Sequence, residues 1–154
     1  MKSIRIHEHG GIDVLQWEDI STPVPGPRQV LINIKAGALN HLDLWVRNGI
    51  PGVPLPIILG SDGSGIVADK GDEVTGFKSG DEVMVQPLVF CGECHQCIRG
   101  QENLCATMGI LGESCDGTFA EKIILPENQL VQKPDFLSFE EAAAFPLVAQ
   151  TAYQ

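Results

Sequence analysis

Residues 91–105 read CGECHQCIRGQENLC, and the rest of the chain is read outward from them. Four of the five cysteines stand here, Cys91, Cys94, Cys97 and Cys105, in the spacing Cys-x2-Cys-x2-Cys-x7-Cys. Four thiolates on one short loop can close a tetrahedron around a metal at about 2.3 Å per Zn–S bond, and the stretch is read as a structural zinc site. Three rival readings use the same residues. Cys91-x-x-Cys94-His95 matches a haem-attachment pattern, but that leaves Cys97 and Cys105 without a role. An iron–sulfur run expects its fourth Cys after about three residues and a Pro next, whereas Ala106 follows Cys105 here. Disulfides need an oxidising compartment. A zinc held by four protein thiolates keeps no position open for water or substrate, so it shapes the loop and does not catalyse. His95 lies inside the lobe and is expected at the surface or beside a ligand. Cys115, alone, is expected to act as a small buried hydrophobe.

Composition narrows the function classes. A chain of 154 residues fits one domain and can bury about 68–70% of its unfolded surface. Ten Lys and Arg stand against 20 Asp and Glu, a net charge of −10, which disfavours a grip on phosphate backbones and makes nucleic acid an improbable partner. The opening MKSIRIHEHGG carries Lys2, Arg5 and Glu8 where a secretory peptide needs an apolar run. No stretch approaches the roughly 18 apolar residues of a membrane span, so a soluble, cytoplasmic protein is expected.

Along the chain, Lys2 to His7 and Val14 to Trp17 read as a hairpin around Gly10-Gly11. The prolines of Thr22–Pro27 exclude a helix. Gln29 to Ala36 alternates as a strand, Val30, Ile32 and Ile34 against Leu31, Asn33 and Lys35. A helix follows, with Asn40 as its cap, Asp43 as the capping-box partner and Gly49 at its end. The glycine-rich Gly60–Gly65 does not read as a dinucleotide fingerprint, because Ile66-Val67-Ala68 continues as strand where a helix should open. Close backbone packing inside a sheet is expected there instead. Glu82 to Gln86 reads as the strand entering the cysteine lobe, and Thr118 to Leu125 as a strand leaving it, stopped by Pro126. Short strands punctuated by Gly and Pro indicate a mainly β fold, a closed or partly open barrel. Ser138-Phe-Glu-Glu141 is a capping box for a terminal helix, and Pro146 to Gln154 reads as a further helical segment that stops in mid-pattern.

Taken together these segments resemble the N-terminal catalytic domain of the medium-chain dehydrogenase/reductase superfamily, the zinc alcohol dehydrogenases and quinone oxidoreductases. The resemblance rests on the four cysteines, on Gly80-Asp81-Glu82-Val83 before them and on Gly117-Thr118-Phe119-Ala120-Glu121 after them. It implies a GroES-like, partly open β-barrel over residues 1–137, with the zinc lobe at 88–116. Residues 138–154 are then the start of a helix leading toward a Rossmann domain that binds NAD(P). The intact enzyme is expected to be a homo-oligomer.

The departures from the family pattern are as informative. Where the zinc alcohol dehydrogenases have Cys-His-x-Asp, this chain has Asn40-His41-Leu42-Asp43, and where they have Gly-His-Glu it has Gly60-Ser61-Asp62. Where many supply a further Cys ligand it has Pro146-Leu147-Val148-Ala149. The catalytic-zinc ligands are therefore expected to be missing, with His41 reading as a hydrogen-bonded helix residue near the cleft. Asn40-x-x-Asp43-x-x-x-Arg47-x-Gly49, with Trp45 between, is similar to the quinone oxidoreductase form of this helix. That resemblance implies hydride transfer from NAD(P)H to a small carbonyl, enone or quinone whose oxygen is held by hydrogen-bond donors, with Asn40 and Ser61 the candidates. Asp43 and Arg47, four apart, are expected to pair and fix the helix. Trp45 either stacks on a flat substrate or fills the core, the core being expected.

Two functions follow. One is the substrate-side domain of a zinc-stabilised oxidoreductase, inactive without its nucleotide-binding domain. The other is a free-standing zinc-stabilised β-barrel that acts as a binding or assembly module. Continuation of the encoded chain past Gln154 into a strand and a Gly-x-Gly-x-x-Gly turn separates them.

Overall fold

The computed structural model describes residues 1–153. Among the described residues, ten strands fall into three open sheets. The N-terminal hairpin consists of β1 (Lys2–Ile6) and β2 (Gln16–Asp19), antiparallel, with a single 3-10 turn at Ile12–Val14 between them. β4 (Ile57–Ile58) adds to the other edge of β1, giving the order β2-β1-β4. The main sheet is built from β3 (Gln29–Ala38), β5 (Asp62–Lys70), β6 (Glu82–Val85), β9 (Lys122–Pro126) and β10 (Leu130–Gln132), in the order β10-β6-β5-β3-β9. A two-stranded ribbon, β7 (Leu88–Val89) and β8 (Gly109–Ile110), forms the neck of the cysteine lobe. The helices are α1 (His41–Asn48), α2 (His95–Ile98), α3 (Phe139–Ala144) and α4 (Pro146–Tyr153). Gln154, the last residue of the expected terminal helix, lies outside the described residues.

The expectation of a mainly β, partly open fold holds: the sheets do not close on one another. They are stitched by the crossing segment 117–121. The Ile4 N–H donates to Phe119 O at 2.8 Å, Glu121 N–H to Lys2 O at 2.9 Å, and Ile34 N–H to Glu121 O at 3.0 Å. This corrects the expected strand from Thr118, since β9 begins only at Lys122. The Thr118 and Phe119 N–H groups are turned back onto Gly60 O and Leu59 O, at 2.8 and 2.9 Å. A backbone committed to that crossing cannot also run along β3.

Alternation in β3 is likewise overridden in part, because Leu31 is buried together with Val30 and Ile32. α3 packs across β3 and β5 and covers the second face of the sheet. The larger core gathers Val30, Ile32, Val67, Val83, Val85 and Leu125 between the strands. A second core joins Ile6, Ile57 and Leu59 to Val46 of α1 and so fixes that helix to the small sheet. Lys133, only 5% exposed, is a buried cation the sequence did not advertise. Its Nζ pairs with Glu82 at 2.9 Å, donates to Leu137 O at 2.7 Å and lies 5.3 Å from the Phe139 ring centroid. Paired in this way, it locks the end of β10 to the start of α3.

The glycine-rich run is what lets β5 lie where it does. A Cβ at Gly65 would stand 2.2 Å from Asn33 O on β3, a contact that only backbone displacement relieves. Gly11, by contrast, has nothing within 4 Å of such a Cβ. Gly65→Ala is therefore expected to destabilise the fold by about 1–3 kcal/mol, the usual cost of overpacking, with Gly11→Ala within about 0.5 kcal/mol of the parent. Chemical denaturation of the two variants side by side measures the difference.

Candidate functional site

The cysteine lobe hangs from the β7–β8 ribbon, so its shape depends on local turns. Cys91 follows β7, Cys94 caps the four-residue α2, Cys97 lies within α2 and Cys105 closes the 3-10 turn Glu102–Leu104. These turns bring the four Sγ atoms within 4.8 Å of one another. Zn–S bonds of about 2.3 Å in a regular tetrahedron require sulfurs about 3.8 Å apart. The separations are 3.9 Å for Cys91–Cys97, 3.5 Å for Cys94–Cys97 and 3.6 Å for Cys91–Cys105. The donor set and its size fit zinc, and all five cysteines are free thiols, not disulfides. The Cys91 backbone N–H and the Thr107 hydroxyl bring the Cys105 thiol down to about 6, toward the thiolate a metal needs. His95 is exposed at the start of α2 and contributes nothing to the tetrad. Cys115 packs half-buried against the larger core, and burial pushes its thiol up. Among the described residues no other group of three or more His, Cys, Asp or Glu side chains brings its ligand atoms together.

The second set of predicted residues lies where β3 hands over to α1. In the β3–β5 register Ala38 stands opposite Asp62, so Asn40, two residues on, comes beside the Asp62 side chain. The Asn40 Nδ2 donates to Asp62 Oδ2 at 3.0 Å. The other oxygen, Asp62 Oδ1, accepts the Leu147 N–H at the start of α4, also at 3.0 Å. Asp43 turns inward, its Oδ2 accepting the Asn40 N–H at 2.7 Å and its Oδ1 the Gly60 N–H at 3.0 Å. Ser61 is fully buried and its hydroxyl has no protein partner. Asn40, Asp62 and Leu147 at the start of α4 thus meet in space, at positions the family resemblance compares with metal ligands, with Ser61 next to Asp62 in the chain.

Several expectations change in detail. The helix cap at Asn40 is a capping box whose tight arm is the Asp43 carboxylate, and the Asn40 amide group is directed at Asp62. No Asp43–Arg47 ion pair forms. Both Asp43 oxygens are engaged by backbone N–H groups, and Arg47 donates to Asn48 Oδ1 at 3.2 Å while its Nε is buried without a partner. Trp45 is 58% exposed and does not fill the core. A helical step of about 100° puts positions 43 and 46 on the inner face, and Val46 takes the core position instead. His41 is exposed and tilts against the Trp45 ring at 6.1 Å, without the expected hydrogen bond. The link from Asp62 to Leu147 was not anticipated. Its one sequence signal is Pro146, which at a first helical position leaves the next N–H free to seek an acceptor.

Burial pushes the Asp62 carboxyl above the ordinary range; the Asn40 and Leu147 donors oppose this, and the Asp43 charge adds to it. Burial raises Asp43 as well, against the N–H groups of Asn40 and Gly60.

Known proteins share the fold that carries this site. The family model "Alcohol dehydrogenase GroES-like domain" matches residues 26–135. An NAD-dependent alcohol dehydrogenase of Sulfurisphaera tokodaii is 36% identical over all of this chain, which covers 46% of that protein. An alcohol dehydrogenase of Geobacillus stearothermophilus is 38% identical over 91% of the chain and 42% of its own length. Among solved structures, one described as an NAD-dependent alcohol dehydrogenase superposes with a TM-score of 0.96 at 50% identity, covering all of this chain and 46% of that one. A cobalt- and zinc-bound thermostable alcohol dehydrogenase from Pyrobaculum aerophilum gives 0.91 at 35% identity over 99% of this chain and 46% of its own. The chain spans about half the length of the relatives it matches.

Two outcomes are expected from this geometry. Cys94→Ser should release the metal from the tetrad and lower the unfolding midpoint, since metal binding contributes folding energy; elemental analysis with thermal unfolding reads both. In a 13C titration of carboxyl groups, Asp43 and Asp62 should titrate above Asp19, which its Lys2 partner pulls down. A folded-state value above the unfolded one means each buried acid favours the fold below its unfolded value. That contribution is lost as pH rises through the folded one.

Proposed function

Since the chain belongs to the alcohol dehydrogenase GroES-like domain family, we propose that it is the substrate-side domain of a nicotinamide-dependent oxidoreductase that keeps the structural zinc and does without a catalytic one. In this reading residues 1–137 form the domain, 88–116 its zinc lobe, and 138–154 the start of the connection to a nucleotide-binding domain. The observation that carries it is the Asn40–Asp62–Leu147 hydrogen-bond set. The Asn40 and Asp62 side chains, which would have to ligate a metal there, are engaged with each other, and Asn40 and Ser61 are poor zinc donors in any case. His41, exposed, and Asp62, engaged by two donors, do not make up a three-residue site.

The tetrad Cys91, Cys94, Cys97 and Cys105 holds the zinc that shapes the lobe. NAD(P), when bound by the full-length enzyme, supplies or accepts the hydride. What this chain contributes is polarisation of the substrate oxygen. The Asn40 amide carries two N–H groups, one directed to Asp62, and the other is free to donate to a carbonyl, enone or quinone oxygen as charge develops on it. Ser61 holds an uncommitted hydroxyl in the strand-opening segment that also carries Asp62. Trp45, exposed beside His41, is the candidate for stacking on a flat substrate, whereas Asp43 and Arg47 serve the helix.

The test uses the full-length protein. It should bind about one zinc per chain and reduce quinone or enone substrates with NADH or NADPH, with activity that survives a chelator strong enough to strip an open catalytic site. A second zinc per chain would contradict the proposal, and an encoded chain with no nucleotide binding would favour the non-catalytic module. Asn40→Ala should lower kcat by about 10²–10³-fold, the effect of deleting one oxyanion donor, with a smaller change in KM.

A further inference from the structure

We propose that Asp62 is a positioning residue: one carboxylate fixes which way the Asn40 amide faces and ties the start of α4 to the start of α1. The bearing on catalysis rests on the reading of Asn40 given above; the tie itself does not.

Asp62 is 1% exposed, and its main chain is doubly held, by pairing with Ala38 and by the Thr118 hydroxyl donating to its carbonyl at 2.7 Å. A side chain leaving so fixed a backbone has little freedom. With both of its oxygens accepting, the Asp62 carboxyl takes the NH2 edge of the Asn40 amide and turns the amide oxygen away. The Asn40 backbone is held as well, through its own N–H on Asp43. Together these contacts leave the second Nδ2 hydrogen with one direction to point. The remaining carboxylate oxygen takes the Leu147 N–H, the first available on a helix whose first residue, Pro146, has none. Neither partner is local: Asn40 is 22 residues from Asp62 and Leu147 is 85 residues from it. In this family's zinc enzymes the same junction is compared with metal ligands. Here one acceptor joins three segments.

The pattern of donors makes the idea testable by exchange of groups. Asp62→Asn leaves one acceptor oxygen for two donors, so either a bond is lost or the Asn40 amide turns its oxygen to the new NH2; in every case the Asn40 NH2 and the Leu147 N–H no longer share one acceptor group. Asn40→Asp combined with Asp62→Asn rebuilds both: the amide then at position 62 donates to the carboxylate then at position 40, and its oxygen accepts the Leu147 N–H. In 15N-labelled protein, one proton of the Asn40 side-chain NH2 should be shifted downfield and protected from exchange by its bond to Asp62, and the Leu147 amide should be protected as well. Asp62→Asn should collapse the Asn40 signature or speed Leu147 exchange by about tenfold or more, the range for a hydrogen bond to a charged group. Asp69→Asn, exposed on the same strand, should change neither. The exchanged double variant should recover Leu147 protection. Unchanged Asn40 and Leu147 signals in Asp62→Asn would overturn the proposal. If that variant fails to fold, rescue by the double variant supports the tie and failure to rescue overturns it. In the full-length enzyme the double variant presents a carboxylate to the substrate and should stay at least about tenfold less active although the tie is restored. Recovered activity would defeat the Asn40 donor reading while leaving the tie intact.

Discussion

The antiparallel pairing of β3 with β5 is the constraint on which the rest of the domain depends. It runs from Val30 opposite Lys70 to Ala38 opposite Asp62, and it requires a strand backbone at Gly65 with no side chain facing Asn33. Everything of chemical interest outside the lobe is attached to the end of this pair. β3 runs into Asn40 and α1, and β5 opens with Asp62, so the register that buries Val30, Ile32 and Val67 also sets Asn40 beside Asp62. A one-residue slip would turn each strand's side chains to the opposite face, losing core and site together.

Packing beyond the pair then sets how rigid the site is. Gly60 is pressed between Thr118, Phe119 and Gly117, where a Cβ on Gly117 would lie 2.1 Å from Gly60 O. Asp43 takes the Gly60 N–H from the helix side. The loop carrying Ser61 is thereby closed in from two directions, which accounts for its complete burial. Such a site opposes folding unless its acids find partners, since Asp43 and Asp62 are held out of water, and each is stabilised by N–H donors in place of a counter-cation. α4 belongs to this arrangement through a single amide, where Leu147 meets Asp62.

The cysteine lobe follows a different physics. It projects from a two-stranded ribbon, and its four sulfurs are brought together by short turns. A segment of that size has little apolar surface to bury, so a metal supplies what a core supplies elsewhere. It is tied to the sheets at its base, by the Gln129 amide donating to Leu88 O at 2.7 Å, by Asp116 Oδ1 accepting the Ile58 N–H at 2.9 Å and by Leu111 in the larger core. A zinc held by the four sulfurs would thus organise a peripheral element, while the hydrogen-bonded carboxylates organise the junction of β3, β5 and α1.

Features that depend on near neighbours were legible in the amino-acid order alone. The tetrad was readable because ligand spacing within fifteen residues nearly dictates its geometry, the capping boxes at Asn40 and Ser138 because a cap is a three-residue event, and the strands because apolar alternation and glycine or proline punctuation are local. The family resemblance drew on the same short motifs. Which side chains share a partner was decided by the folded chain. The four-residue spacing of Asp43 and Arg47 suggests a pair, yet backbone donors at Asn40 and Gly60 take both Asp43 oxygens; an aromatic at 45 suggests a core position, yet helix rotation gives that place to Val46. The meeting of Asn40, Asp62 and Leu147, up to 85 residues apart, has no local signature beyond a proline. Hydrogen bonds of that kind are chosen by which strands pair and which helix caps them, after the chain has collapsed, and no periodicity encodes them.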